Sequence, residues 1–249
     1  GDVSAVVTEK GVVKTSVVVC AAGAWTSLFA RNLSIDIPQL TVRSTVARTA
    51  AAPEVFAGNA ASSDLAFRRR MDGGYTIALG DYHEHFISLD SFRYFRKFLP
   101  SARVSWPETR LRLSGGVLSS TATRCKWSGD DVSPFEKTRV LNPEPSTEAL
   151  ELMRARLDKR LPKLAGIPFE ESWAGMIDTT PDVVPVMDEV TPRGLHIAAG
   201  FSGHGFGIGP GAGRVMADLV QGRPPGHDLK RFRFSRFSDG SPIELGPAL

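Results

Sequence analysis

The sequence is poor in cysteine: Cys20 and Cys125 are the only two in 249 residues, far apart and in unrelated contexts. That excludes a disulfide framework, and with no Cys-x-x-Cys or Cys/His spacing no zinc module is expected. His83 and His85, alternating in an expected loop, are too few to make a metal site, and no metal is predicted. No run of eighteen apolar residues occurs, so no segment is expected to span a bilayer. The start, Gly1-Asp2-Val3, has no basic stretch followed by an apolar one, which predicts no signal peptide. It also begins in mid-strand, as a portion of a longer protein would. Cytoplasmic residence is the default these absences leave. Charge of one sign is scarce too, with a formal net charge of +3. The densest basic clusters, Arg68-Arg69-Arg70 and the trio Arg231, Arg233 and Arg236, belong to no nucleic-acid-binding motif. They read as solvated surface, and nucleic acid is not an expected partner.

Glycine and proline, by contrast, are plentiful at 24 and 17, which favours strands joined by turns over a helix bundle. Residues 3–8 and 12–20 flank Glu9-Lys10-Gly11 as a hairpin, and Val17 to Ala21 reads as a strand buried on both faces. A tight turn, Ala22-Gly23-Ala24-Trp25, leads to a short helix ending near Arg31. Leu40–Ala50, Leu65–Arg70 and Tyr75–Gly80 read as strands, the last two joined by Met71-Asp72-Gly73-Gly74. A helix is expected between Ile87 and Leu99, stopped by Pro100, then a strand within Trp106–Leu113 and a surface loop at Ser128–Val132. The clearest helix is 147–161: Ser146 is the N-cap, Glu148 suits the helix dipole, and Leu150, Met153, Leu157 and Leu161 form a core stripe. Strands at Glu170–Met176 and Gly194–Ala199 follow. The chain ends with a helix over Gly211–Gln221 and a Pro-, Gly- and Arg-rich tail.

The most informative stretch runs from Gly200 to Gly213, Gly-Phe-Ser-Gly-His-Gly-Phe-Gly-Ile-Gly-Pro-Gly-Ala-Gly, between a strand and a helix. Amides in such a turn, with the helix dipole behind them, favour an anion or developing negative charge. It is not a P-loop, because Gly-Arg-Val stands where Gly-Lys-Ser/Thr is needed. The dinucleotide pattern G-x-G-x-x-G/A is met formally at Gly207, Gly209 and Ala212. But that register starts several residues after the strand and contains Pro210.

Four segments, in order and spread over residues 3–222, carry a family resemblance. Val17-Val-Val-Cys-Ala-Ala-Gly-Ala-Trp25 looks like the strand and turn that lie beside the flavin in FAD-dependent oxidoreductases of the D-amino-acid oxidase type. Arg68 to Gly80, with Asp72-Gly73-Gly74-Tyr75, resembles that family's substrate-domain hairpin. Trp173-Ala-Gly-Met-Ile-Asp-Thr-Thr-Pro-Asp182, then Pro185, resembles its Trp-x-Gly followed by Thr-Pro-Asp-x-x-Pro. Gly194 to Phe206 resembles its closing strand and flavin-facing turn. Glycine oxidases, sarcosine oxidases, dimethylglycine dehydrogenases and D-amino-acid dehydrogenases share this layout.

The resemblance implies an α/β plus α+β fold. A partial FAD-binding domain (1–37 and 176–225), with a parallel sheet and helices, would carry an inserted, mostly antiparallel substrate domain (38–175). Residues 226–249 would be an irregular tail. In the family an amino-terminal G-x-G-x-x-G strand–turn–helix holds the FAD pyrophosphate. A second chain or a missing amino-terminal region would complete the FAD site here. Implied cofactor-binding residues are Ala21, Ala22, Gly23 and Trp25 on one side and Gly200, Gly203, Gly205, Phe206, Gly207 and Ile208 on the other. Trp25 also reads as packing. His204 either contacts flavin or substrate, as a catalytic residue, or fixes the turn. The chemistry implied is hydride removal from the carbon bearing the amine of a small amine or amino-acid substrate. Amino-acid-oxidising relatives often have an arginine just after Trp-x-Gly to grip the substrate carboxylate. Here that residue is Ile177, so either the substrate has no carboxylate there or Arg68 or Arg70 supplies the grip. Tyr75 and Tyr82 are candidate pocket residues, with ordinary strand packing the favoured reading, and Asp182 is expected to cap its own turn. Two other readings stand: a truncated module that cannot hold FAD alone, and a flavin enzyme acting on a 2-hydroxy acid.

Overall fold

The computed structural model describes residues 1–105, 108–113 and 125–246. Strands β1 (Ala5–Thr8) and β2 (Gly11–Lys14) form the expected hairpin. The apolar run after it does not continue as one strand. Thr15 Oγ1 donates to the Val17 carbonyl across a bend, and β3 covers only Val18–Cys20. A single 3-10 turn at Gly23–Trp25 then enters helix α1 (Thr26–Asn32).

β4 (Leu40–Thr49), β5 (Asn59–Ala61), β6 (Ala66–Arg69), β7 (Tyr75–Ala78), β8 (His83–Phe86), β9 (Thr109–Arg112) and β10 (Phe169–Thr179) make the large, mostly antiparallel sheet. β4 is its spine. β10 runs along one edge of it from Thr49–Phe169 to Leu40–Thr179, while β7 and β8 share the other edge. Within this sheet, among the described residues, the β8–β9 pair alone is parallel. His83 and His85 therefore lie on a strand, not in a loop. Residues 106 and 107 of the expected Trp106–Leu113 strand lie outside the described residues.

The expected helix before Pro100 is instead two helices, α2 (Leu89–Arg93) and α3 (Phe95–Ser105), with Pro100 inside the second. The break falls at Tyr94, which is buried with its hydroxyl on Asp36 Oδ1 at 2.5 Å. Pro100 removes only the one hydrogen bond that the Arg96 carbonyl would have accepted, so α3 continues. The short α4 (Pro134–Lys137) follows, with reciprocal Ser133–Glu136 capping. α5 (Thr147–Arg160) forms as expected, with Ser146 Oγ accepting from the Ala149 amide. Its Ala149, Met153 and Leu157 pack on Ala47, Leu65, Tyr75, Ile77 and Tyr82 of the large sheet. Fully burying one such side chain stabilises by about 1.5–3 kcal/mol.

The second sheet holds β11 (Val186–Val190), β12 (Leu195–Ala199) and β3, in the order β11-β12-β3. β12 and β3 are parallel, as expected; β11, which the sequence did not reveal, is antiparallel to β12. β12 is the strand buried on both faces. β3 is not: among the described residues it is an edge strand, and Val19 is 43% exposed. α6 (Gly205–Val220) covers one face through Ala212, Val215 and Met216, and α1 and the tail cover the other through Ala30 and Phe237. The tail is anchored rather than loose. It carries a 3-10 turn at Phe234–Phe237, and the Phe234 amide donates to Asp188 Oδ2 at 2.8 Å. No helix among the described residues is long and apolar enough to cross a membrane.

Candidate functional site

β10 runs three residues past its expected end at Met176 because β4 still offers partners as far as Leu40. Those residues, Ile177, Asp178 and Thr179, organise the site. Asp178 Oδ2 accepts from the Gly200 amide at 2.6 Å and from Gln39 Nε2 at 2.9 Å. Gln39 Nε2 also donates to the Gly23 carbonyl at 3.0 Å, and its Oε1 accepts from the Ser27 amide at 2.8 Å. The Asp178 carbonyl takes the Ser202 amide at 3.1 Å. A carboxylate and an amide side chain thus fasten the turn after β3 to the turn after β12. Burial pushes the Asp178 carboxyl up, against the opposite pull of the Gly200 amide and Gln39.

The glycine-rich segment does less of what was expected of it by loop geometry and more by helix geometry. Gly200 has φ +77°, and a Cβ there would lie 2.3 Å from Thr180 Cγ2, so only glycine fits. Its amide is spent on Asp178. α6 starts at Gly205, six residues before the expected Gly211, and passes through Pro210. Packing of Ala212, Val215 and Met216 on the small sheet holds it helical despite its glycines. The formal match at Gly207, Gly209 and Ala212 therefore lies within a helix. The amides of Gly207 and Ile208 both go to the His204 carbonyl, at 3.0 and 3.1 Å. Gly203, Gly205 and Phe206 are left with amides that have no acceptor among the described residues. His204 is the N-cap of α6; its ring has no hydrogen-bond partner among them either.

In the facing turn Ala21 and Ala22 are exposed, and Gly23 has φ +53°. Trp25 packs edge-on against Phe135 with ring centroids 5.8 Å apart, and Trp127 meets the same ring at 5.5 Å, so its role is packing. A Cβ added at Gly23, Gly175 or Gly207 would meet nothing within 4 Å. That open space, with the three unpaired amides, suits a flat ring system that carries negative charge, as a reduced flavin does.

The expected substrate residues do not all converge. Ile177 pairs with Val42 and lies 3.9 Å from where a Cβ on Gly203 would be, so the Trp-x-Gly strand does meet the glycine-rich turn. Arg68 does not reach it. Arg68 pairs with Thr76, which pairs with Arg48, six residues along β4 from Val42 or about 20 Å. Arg70 is held by Asp72 through Nε at 2.9 Å. Tyr75 is fully buried, its hydroxyl accepting from the Val55 amide at 2.8 Å and donating to the Phe56 carbonyl, which makes it a core residue rather than a pocket residue. Tyr82 is buried against α5 and takes a hydrogen bond from Arg112 Nη2 at 2.9 Å. Among the described residues no cluster of His, Cys, Asp or Glu is arranged to hold a metal.

Asp182 caps its turn as expected, accepting from the Val184 amide at 3.2 Å. It also forms a buried bidentate pair with Arg236, at 2.7 and 3.0 Å, that binds the tail to the Thr-Pro-Asp loop. Neither this pair nor Gln39 was found in the sequence. Asp178, the one charged residue between Trp173 and Pro181, was a readable signal for its part of the site.

A family model described as FAD-dependent oxidoreductase matches residues 1–219. Peroxisomal sarcosine oxidase of Mus musculus is 27% identical over 233 residues, 91% of this chain and 49% of its own length. The structure of L-amino acid deaminase from Proteus vulgaris superposes with a TM-score of 0.88 at 31% identity, covering 95% of this chain and 55% of that one. The enzyme of the same name from Proteus myxofaciens, in complex with anthranilate, superposes with a TM-score of 0.89 at 31% identity, covering 96% and 53%. The chain spans about half the length of these relatives.

Proposed function

Because the chain belongs to the family of FAD-dependent oxidoreductases, we propose that it is the carboxy-terminal part of an enzyme that oxidises the C–N bond of a small amine or amino acid. The observation that carries this reading is the Gln39–Asp178 hydrogen bond, which holds the Gly23 and Gly200 turns facing one another. Bound FAD supplies the hydride acceptor. The chain's own contribution is placement. The free amides of Gly205 and Phe206, at the positive end of α6, stabilise negative charge at the edge of the ring. The open face of the large sheet, with Ile177 and Gly175, would hold the substrate beside the flavin. His204, in the same turn with a free imidazole, is the candidate for contact with flavin or substrate. The relatives' names, sarcosine oxidase and L-amino acid deaminase, support a reacting bond of the C–N class.

A second reading is supported by the chain's spanning only about half of its relatives: by itself it is a module that needs the rest of an FAD site. A visible spectrum taken after adding FAD and desalting separates the two. Flavin retained at near-equal stoichiometry means the chain completes a site unaided. None retained by the chain, but flavin retained by a longer protein containing it, means a module. No flavin in either, or turnover of 2-hydroxy acids but not amines by the longer protein, would end the C–N reading.

A further inference from the structure

On the sheet face opposite α5, β4, β8, β9 and β10 line a cavity of about 210 Å³ that α3 and Leu245–Gly246 complete. It is bounded largely by Leu40, Val42, Phe98, Ala102, Leu111 and Val183. For scale, a cavity of about 150 Å³ lined by Leu, Ile and Phe holds a benzene ring.

The polar side chains in its wall have already committed their protons. Ser101 Oγ donates to the Phe98 carbonyl, Ser105 Oγ to that of Ser101, and Thr109 Oγ1 to that of Ser105, each at 3.0 Å. Thr179 Oγ1 donates to the Leu40 carbonyl at 3.3 Å, and Thr180 Oγ1 to the Val184 carbonyl at 2.8 Å. His85 Nδ1 faces the Thr41 carbonyl at 2.8 Å, so that nitrogen carries the proton, and Nε2 accepts from Ser91 Oγ at 2.8 Å. Even the Gly246 amide is used, on the Asp182 carbonyl at 2.7 Å. Among the described residues, what the side chains still offer is lone pairs and the carboxylate of Glu108, the one lining residue of these that carries a formal charge at neutral pH with His85 neutral. A carboxylate ligand would find no free side-chain donor among the described residues of the lining and would meet the like charge of Glu108. A ligand whose polar end is an N–H donor meets neither penalty.

We propose that this cavity binds the apolar body of an amine, an aromatic ring or a branched hydrocarbon, and discriminates against carboxylates. It adjoins the candidate site, since Val42 is the strand partner of Ile177 and Thr180 presses on Gly200. The bearing on catalysis rests on the flavin reading; the binding itself does not.

The test is titration of the flavin-free 249-residue chain with benzylamine, benzyl alcohol and benzoate, followed by NMR line positions or calorimetry. Benzylamine and benzyl alcohol should bind, and benzylamine at least tenfold more tightly than benzoate. Ala102→Trp, which fills the cavity, should abolish benzylamine binding. Glu108→Gln, at a partly exposed position, should narrow the benzylamine–benzoate ratio to about threefold or less, and reads the charge argument whether or not the tryptophan variant folds. Benzoate binding as well as benzylamine, no benzylamine binding, or benzylamine binding unchanged in a folded Ala102→Trp variant would each overturn the proposal. Benzylamine binding by a chain that retains no FAD supports it and counts against the unaided-flavin reading alone.

Discussion

Gln39 Nε2 donates to Asp178 Oδ2 at 2.9 Å, and each side chain also holds a glycine of a different turn, Gly23 for Gln39 and Gly200 for Asp178. Neither turn contacts the other through regular backbone pairing. The β3–β12 ladder ends at Cys20 and Ile197, and beyond it the side-chain bridge ties the two turns together, so any ligand that needs both turns depends on it. Asp178→Ala would leave the Gly200 amide and Gln39 Nε2 short of an acceptor. A loss of about 1–3 kcal/mol for each buried group left unpaired is the expected scale. Urea unfolding should show a lowered midpoint at unchanged slope, and flavin retention by the longer protein should fall. Asp178→Asn keeps an acceptor oxygen and should fall between the two.

Glu84 and Asp178 should respond to pH in opposite senses. Burial alone would raise the Glu84 carboxyl, but Arg43 at 2.8 Å, Arg112 at 2.9 Å and Ser146 at 3.1 Å outweigh it, and it lies below its ordinary 4.5. A carboxyl lowered on folding contributes stability that is complete above 4.5 and is lost as pH falls through the folded value. Asp178 lies above its ordinary 3.8, so between 3.8 and its folded value the native state holds the extra proton and stability declines as pH rises. Stability measured by urea across the acid range should fall less steeply with falling pH in Glu84→Gln, although other lowered carboxyls such as Asp64 and Asp72 keep part of the acid limb. The decline with rising pH should be missing in Asp178→Asn.

Gly200→Ala has two separate faults: φ of +77° and a Cβ at 2.3 Å from Thr180 Cγ2. The left-handed backbone costs about 1–2 kcal/mol and the overlap more. Pairing it with Thr180→Ala removes the overlap but not the backbone cost. The double variant should therefore recover part of the loss in a thermal melt; full recovery would mean the backbone term is absent.

Arg236→Ala would strand the buried Asp182 carboxylate, and breaking such a pair from one side costs about 3–5 kcal/mol. Arg236→Lys keeps the charge but loses the fork that reaches both carboxylate oxygens and the Val184 carbonyl at once. Limited proteolysis should cut the tail faster in both variants, with alanine the more sensitive.

Ile177→Arg would put a guanidinium just after Trp-x-Gly, where the family resemblance implies that amino-acid-oxidising members often have one. In the longer protein, kcat/KM for an amino acid relative to the matching amine should rise at least tenfold, about 1.4 kcal/mol in differential transition-state binding. No change in that ratio would place the substrate's carboxylate end elsewhere.

Elements whose energetics are local were legible. The alternation of β4, the Asp72-Gly73-Gly74 turn between β6 and β7, and the capped stripe of α5 each follow from residues within a few positions of one another. The glycine-rich segment and the Trp-x-Gly strand were also recognisable, through their order along the chain. β11 was not, because Val186–Val190 is short and earns its strand only by pairing with β12. Nor was the start of α6 at Gly205, since local propensity argues against a helix so rich in glycine, and packing on Met187 and Ala198 overrides it. Arg68 and Tyr75, singled out by resemblance, ended on the far part of the large sheet and in its core. Composition and periodicity gave individual strands and helices, while the family and the two larger sheets came from the resemblance carried by four motifs in order. The tertiary structure alone decided which groups face the site, because Gln39 meets Asp178 across 139 residues and Asp182 meets Arg236 across 54. A hydrogen bond between distant residues leaves no periodic trace in the chain, and its energy exists only once the fold has brought the two ends together.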